Sequence, residues 1–243
     1  MDKQKALNIL LWIQPTGRIH IGNYFWAIKK WIDMQNEWHD VHFLVAQYHA
    51  NASDEATKDM INSLERLGAK RVCEQWSNTL ELFYKLSHST SVTELARLPQ
   101  YQTKEQTLHM LSYPLLMACD IIISDCDAVI VWEDQEPHMH FYREIARRNG
   151  YNVATTIKSD TPKIMSIKDP SVKMSKSLWD KHCIYLDDTR DDIYKKIKAA
   201  PTTEWGLESL KDLAKLFGTD FDTSKCGASK EVLADTIYTY FNI

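Results

Sequence analysis

The stretch "LLWIQPTGRIHIGNYFWAI", residues 10–28, leaves an apolar run through a Pro-Thr-Gly turn and takes up a new pattern at His-Ile-Gly-Asn. Leu7 to Ile13 has the continuous apolar character of a buried strand. From about Ile21 to Gln35, the residues Ile21, Phe25, Ile28 and Ile32 recur on one side at helical spacing. A strand that turns sharply into a helix places the helix's unpaired N–H groups at the corner, which suits a small charged ligand.

Working outward, Val41 to Val45 and Ala128 to Trp132 ("AVIVW") are further runs of buried-strand type, and Met60, Leu64 and Leu67 repeat the helical spacing. Strand-helix-strand order with crossovers of this length predicts an α/β fold with a doubly wound parallel sheet. Ligands of such sheets bind beyond the carboxyl ends of the strands, where "QPTGRIHIGN" falls. Past Asp187 the character changes. Thr189 with Asp192 has the form of a helix-start capping pair, and Ile193, Ile197, Leu207, Leu210, Leu213, Phe217, Leu233, Ile237 and Phe241 follow at helical intervals. The expected division is an α/β domain over 1–187 and a small helical domain over 188–243.

With 243 residues and 44% hydrophobic content, the chain can bury one substantial core. Cys73, Cys119, Cys126, Cys183 and Cys226 show neither CxxC nor Cys/His ligand spacing, so a disulfide framework or zinc site is not expected and a reducing cytoplasm is. The apolar run in "MDKQKALNILLW" is too short for a signal peptide, and no segment reaches the length of a membrane span. A net charge of -4 does not exclude nucleic acid, because local patches set phosphate attraction. Lys29, Lys30, Arg147, Arg148, Lys195, Lys196 and Lys198 can form such patches or simply solvate helix faces. His138 and His140 stand i, i+2 after Pro137; on a helix they diverge by about half a turn, so no single metal ion joins them.

The longest loop-like segment runs from Ser166 to His182 and contains "KMSKS", Lys173 to Ser177. Two lysines and two serine hydroxyls in a flexible segment offer point charges that can follow a moving polyphosphate. Alone this is an ordinary solvated loop. Paired with the upstream Pro-Thr-Gly turn and His-Ile-Gly-Asn, it resembles the signature of the class I aminoacyl-tRNA synthetases. The resemblance implies a Rossmann-like catalytic domain that binds ATP with its Mg²⁺. His20, Lys173 and Lys176 are then the catalytic residues, with His20 donating to phosphate oxygens and the lysines neutralising charge as pyrophosphate leaves. Gly22 lets the nucleotide approach the backbone, and Gln14, Pro15, Thr16, Asn23, Met174, Ser175 and Ser177 complete the phosphate-side set. The amino acid's own carboxylate attacks the α-phosphorus, so positioning and electrostatics suffice.

Within that class, "IQPTG" and "HIGNY" followed by "YPLLMACDIII" and "EDQ" are similar to the tryptophanyl-tRNA synthetase family, from about Leu7 to Asp188. The resemblance implies that Asp120 accepts a hydrogen bond from the indole N–H, that Tyr113 and Gln135 hold the α-amino group, that Gln14 and His49 lie near the carboxylate, and that Met117 packs on the ring. Tyr113, Met117 and Asp120, at i, i+4 and i+7, share one helix face. An unpartnered carboxylate between Cys119 and Ile121 is costly, which singles out Asp120. Asp134, beside Trp132 and Glu133, falls at the ATP ribose, and Ile164 and Met165 in "KIMS" flank the adenine. The family further implies L-tryptophan and tRNA(Trp) as partners, a homodimer, and a cytoplasmic location.

The chain also departs from the family. Trp12, Trp26 and Trp132 stand where glycine is usual, Gln47 where aspartate is usual, and the helical region after "KMSKS" is about half the usual length. There are 7 glycines, against roughly 17 expected from average usage. A glycine codon entered as tryptophan accounts for both the tryptophans and the glycine count; a reshaped pocket accounts for the tryptophans alone. Two other readings stay open, a binding paralogue that has lost ATP chemistry and a tyrosyl enzyme.

Overall fold

The computed structural model describes residues 6–37, 39–103, 105–131, 135–158, 164–175 and 180–242, except for the side chain of Trp26. Trp132, Glu133, Asp134, Lys176 and Ser177 lie outside the described residues. By its internal contacts the chain forms two compact units, one comprising 1–17 with 31–160 and the other 18–30 with 161–243. The helical segment expected over 188–243 falls in the second unit, together with residues 166–175 of the lysine loop and the His-Ile-Gly-Asn helix start.

The first unit is built on a five-stranded sheet of order β3-β2-β1-β4-β5, formed by β1 (Asn8–Ile13), β2 (Asp40–Val45), β3 (Val72–Glu74), β4 (Ala128–Val131) and β5 (Thr155–Lys158). Every pairing is parallel, with Ile9 opposite Val41 and Ala128, and Trp12 opposite Leu44. The three strands read from apolar runs are the three central ones. The short edge strands β3 and β5 carry half-exposed side chains and no apolar run, so no expectation pointed to them. Strand order turns around between β1 and β4, the place where doubly wound sheets bind ligands, and the Gln14–Gly17 turn leaves β1 there. Thr16 N–H donates to the Gln14 carbonyl at 2.8 Å. Gly17, at φ 92°, takes a conformation open chiefly to glycine.

A helix runs from Ile21 to Asn36, with regular α turns at both ends and a π stretch from Tyr24 to Ile28. Ile21, Phe25 and Ile28 are buried as the spacing predicts, but the next fully buried residue is Trp31, and Ile32 is half-exposed. The sheet's other crossovers include α helices at Gln47–Ala50, Asp54–Arg66, Thr79–Ser87, Leu108–Ser124 and Glu136–Arg148. The Leu108–Ser124 helix begins at a Thr107 cap that accepts from the Met110 N–H. Its residues Pro114 to Ile121 are all buried, so a polar group on that stretch must find its partners inside the protein. Trp12 is half-buried and packs on the cluster formed by this helix, β4 and the Glu136–Arg148 helix.

In the second unit, helices Arg190–Lys198, Glu204–Leu216 and Cys226–Phe241 bury Ile193, Ile197, Leu210, Leu213, Phe217, Leu233 and Ile237. Thr189 and Asp192 do form the expected cap: the Asp192 N–H donates to Thr189 Oγ1 at 3.2 Å. Lys230 is buried and donates to the carbonyls of Lys198 and Ala200 at 3.1 and 2.8 Å, a cation at the negative end of the Arg190–Lys198 helix. Tyr24, Phe25, Phe217, Tyr240 and Phe241 pack mostly edge-to-face and join the helix start to this core. Among the described residues, no helix is long and apolar enough to cross a membrane.

Candidate functional site

In the first unit the polar group on the buried helix is Asp120, 2% exposed. The Gln75 side-chain amide lies 2.9 Å from both of its oxygens, Thr79 Oγ1 3.2 Å from Oδ1, and His49 Nε2 2.8 Å from Oδ2. These donors come from the segments that follow β2 and β3, so the carboxyl ends of two neighbouring strands close over the helix. His49 is 4% exposed, and its Nδ1 is buried with no hydrogen-bond partner among the described residues. The Tyr113 ring stands edge-on to His49 at 4.8 Å and lies 5.7 Å from the ring of His138. His138 Nδ1 in turn is 3.1 Å from Gln135 Oε1. Met117 is buried in the adjoining core. The structure thus gathers Tyr113, Asp120 and His49, reaches Gln135 through His138, and keeps Met117 in the core against which Tyr113 packs. Burial, and then the charge of Asp120, push the neighbouring Cys119 thiol well above its ordinary value.

Gln75 and Thr79 were not anticipated. Gln75 follows a three-residue strand and Thr79 opens a helix; neither position carries a local signal of contact with a residue more than 40 positions away. Gln47, one of the departures, accepts the Gln75 backbone N–H at 2.9 Å. His138 is buried and His140 is exposed beside Glu144, so the two rings face different surroundings.

The second unit holds the other candidate group. His20 caps the helix at Ile21: its Nδ1 accepts from the Asn23 N–H at 3.2 Å, and its own N–H points to Asn23 Oδ1 at 3.4 Å. Gly22 makes this possible, because a Cβ there would lie 2.8 Å from Nδ1 and Cε1 of the His20 ring and 3.5 Å from Met174 Cβ. The Ile21 N–H donates to the Ile184 carbonyl at 2.9 Å. Two of the N–H groups at this helix start therefore already have protein partners.

Residues 19–21 pair with 184–186 as a short antiparallel bridge, His20 opposite Tyr185. An ion network clamps that bridge. Arg18 donates to Asp187 at 2.8 and 2.9 Å and to Asp188 at 2.8 Å, and its guanidinium lies 4.3 Å over the Tyr185 ring. Asp188 also accepts from Lys196 Nζ at 2.7 Å and from the Tyr185 N–H at 2.9 Å. Burial works against the Arg18 charge, but the bonds to Asp187 and Asp188 prevail and hold its pKa above the ordinary value. The lysine loop is tied in as well. Met165 bridges Lys173, and the Met174 N–H donates to the Ile164 carbonyl at 2.9 Å. Ser166 Oγ is 2.8 Å from His182 Nδ1. The second unit thus brings together His20, Gly22, Asn23 and Met174, and pairs Ile164 and Met165 with Lys173 and Met174, while Gln14, Pro15 and Thr16 sit in the first unit's turn.

A family model for tRNA synthetases class I (W and Y) matches residues 2–220. The tryptophan–tRNA ligase of Wolinella succinogenes is 31% identical over 221 residues, covering 80% of this chain and 67% of that protein. The tryptophan–tRNA ligase of Rickettsia conorii is 34% identical over 222 residues, covering 80% and 67%. The crystal structure of tryptophanyl-tRNA synthetase from Campylobacter jejuni complexed with ADP and tryptophan matches with a TM-score of 0.80 at 24% identity, over 96% of this chain and 86% of that one, a likeness of fold.

Proposed function

The chain belongs to the class I tRNA synthetases (W and Y), and on that premise we propose that it activates L-tryptophan with ATP and transfers it to the 3′ end of tRNA(Trp). The observation that carries the choice of tryptophan is Asp120: a carboxylate enclosed by apolar helix residues and held as an acceptor suits a ligand with one polar handle, a ring N–H. The buried Nδ1 of His49 offers a partner for the ligand's carboxylate or amino group, and Tyr113 and Gln135 serve the α-amino group.

In the first step a tryptophan carboxylate oxygen bonds to the α-phosphorus while the bond to the bridging oxygen breaks and pyrophosphate departs. No covalent enzyme intermediate is needed. The second unit supplies the groups for the triphosphate: His20 as hydrogen-bond donor, and Lys173 with Lys176 as charges that gain strength as pyrophosphate separates. Mg²⁺ arrives with ATP, held chiefly by phosphate oxygens. Asp134 takes the ribose hydroxyls, and Ile164 and Met165 flank the adenine. In the second step the terminal ribose hydroxyl of the tRNA displaces AMP.

The reading extends to a cytoplasmic homodimer, as the family resemblance implies. Its test is exchange of labelled pyrophosphate into ATP by the purified chain. Exchange should depend on tryptophan and Mg²⁺, with tyrosine giving less than about a hundredth of the rate, as expected where a polar contact is mismatched. Tyrosine-dependent exchange, or none with either amino acid, overturns it.

A further inference from the structure

We propose that Gln75 is a positioning residue for amino-acid specificity: it compels Asp120 to act as an acceptor, so that the pocket selects ligands by their ring N–H. This deepens the functional reading above and rests on it.

The argument turns on which way round the amide lies. Gln75 is 3% exposed, and its Oε1 accepts from the Tyr48 backbone N–H at 2.9 Å. Its backbone N–H is fixed in turn by Gln47 Oε1 at 2.9 Å and the Val45 carbonyl at 3.1 Å. Flipping the amide would set its NH₂ against the Tyr48 N–H and its oxygen against the Asp120 carboxylate, two repulsive contacts in place of two hydrogen bonds. Nε2 is therefore the atom that meets Asp120, at 2.9 Å from each oxygen.

The other neighbours of Asp120 are less demanding. A threonine hydroxyl can donate or accept, and a histidine ring nitrogen can do either according to its tautomer. Neither of them, therefore, fixes Asp120 as an acceptor. An amide nitrogen cannot accept, and Gln75 Nε2 reaches both Asp120 oxygens at once, so neither oxygen can turn a hydrogen toward it. Both oxygens are already engaged, Oδ1 by Gln75 and Thr79 and Oδ2 by Gln75 and His49. An incoming N–H must displace one donor. Thr79 has the longest contact, 3.2 Å, and a hydroxyl that can rotate, so it gives way while Gln75 holds. A ligand of the same shape without the N–H gains nothing to balance that displacement.

The experiment compares tryptophan with β-(3-benzothienyl)alanine, in which sulfur replaces the ring N–H, using pyrophosphate exchange by the full chain and by Gln75→Met and Gln75→Glu. The wild type should favour tryptophan in kcat/KM by at least about a hundredfold, as for sites that pair with a substrate N–H. In Gln75→Met, tryptophan should lose at least about tenfold in kcat/KM while the sulfur analogue changes by less than about threefold, since only the hydrogen-bonded ligand depends on the acceptor. Gln75→Glu keeps an oxygen for the Tyr48 N–H but faces Asp120 with a second carboxyl, and should show the same selective loss; it stands in if the Met variant fails to fold. A parallel loss for both substrates marks a structural role and overturns the proposal. So does a wild type that accepts the sulfur analogue as well as tryptophan, an outcome that needs no variant. Absence of tryptophan-dependent exchange in the wild type would instead refute the functional reading itself.

Discussion

Asp188→Ala should destabilise the second unit by about 3 to 4 kcal/mol, at least half of it through one lysine, as follows from breaking a buried pair on one side. The Asp188 side chain is 4% exposed and accepts from Arg18, Lys196 and the Tyr185 N–H. Arg18 is 44% exposed and retains Asp187, so its loss is worth no more than about 1 kcal/mol in a screened setting. Lys196 is 11% exposed and, among the carboxylates of the described residues, keeps the solvent-facing Asp180 at 3.2 Å. Its ammonium, stripped of the nearer partner, costs about 2 kcal/mol, below the 3–5 of a fully isolated charge. The orphaned Tyr185 N–H adds about 1 kcal/mol. Urea unfolding followed by circular dichroism measures the sum. Asp188→Ala with Lys196→Met should recover at least half of the loss, because removing both charges leaves none uncompensated. The same bridge sets the main chain of His20, so exchange should fall with stability in the single variant. A single-variant loss under about 1 kcal/mol, or a double variant no better than the single, would refute the view that this network clamps the helix start.

Gly22→Ala should leave stability within about 1 kcal/mol, since the clash is with a side-chain ring, yet lower exchange by about tenfold or more because that ring is His20; unchanged exchange would separate His20 from the chemistry. Lys173→Ala and Lys176→Ala should each slow adenylate formation by about a hundredfold with tryptophan affinity nearly intact, the pattern of groups needed in the transition state; a loss confined to tryptophan binding would remove the loop from the mechanism. Burial raises the thiols of Cys73, Cys119, Cys126 and Cys183 above the ordinary 9.0, and the Tyr142 hydroxyl above 10.0. The unfolded chain releases these protons first, so the stability they confer is complete below about pH 9 and is lost as pH rises through the folded values. Tm in reducing buffer should decline steadily above about pH 9, and a flat profile there would contradict the burial of these groups.

What could be read in advance divides along a physical line. Leu7 to Ile13, Val41 to Val45 and the "AVIV" of β4 announce themselves because a strand covered on both faces must be apolar throughout. β3 and β5 lie at the sheet's edges, where half-exposed side chains impose no such pattern. Asp120 was legible because a carboxylate in an apolar helix contradicts its surroundings. Gln75 contradicts nothing: a glutamine after a strand is ordinary until the Tyr48 N–H, 27 positions away, fixes the direction of its amide. The clamp on Asp188 joins Arg18 across 170 positions and leaves no periodic trace. The helix from Ile21 was evident, its π stretch was not, and that stretch accompanies the burial of Trp31 in place of Ile32.

Using histidine as the helix cap has a consequence for where its proton resides. A capping atom must accept, and the atom that accepts the Asn23 N–H is Nδ1 of His20. The ring's hydrogen is thereby assigned to Nε2, one of two tautomers that in free imidazole lie close in energy. In the proposed mechanism, the nitrogen that His20 turns to the phosphates is therefore the one that carries the hydrogen. To become an imidazolium it would have to protonate the very atom that holds the helix start, so charging the ring and keeping the cap are mutually exclusive. A serine or aspartate in that place would cap as well but bring no ring N–H, and a lysine would bring charge but no cap.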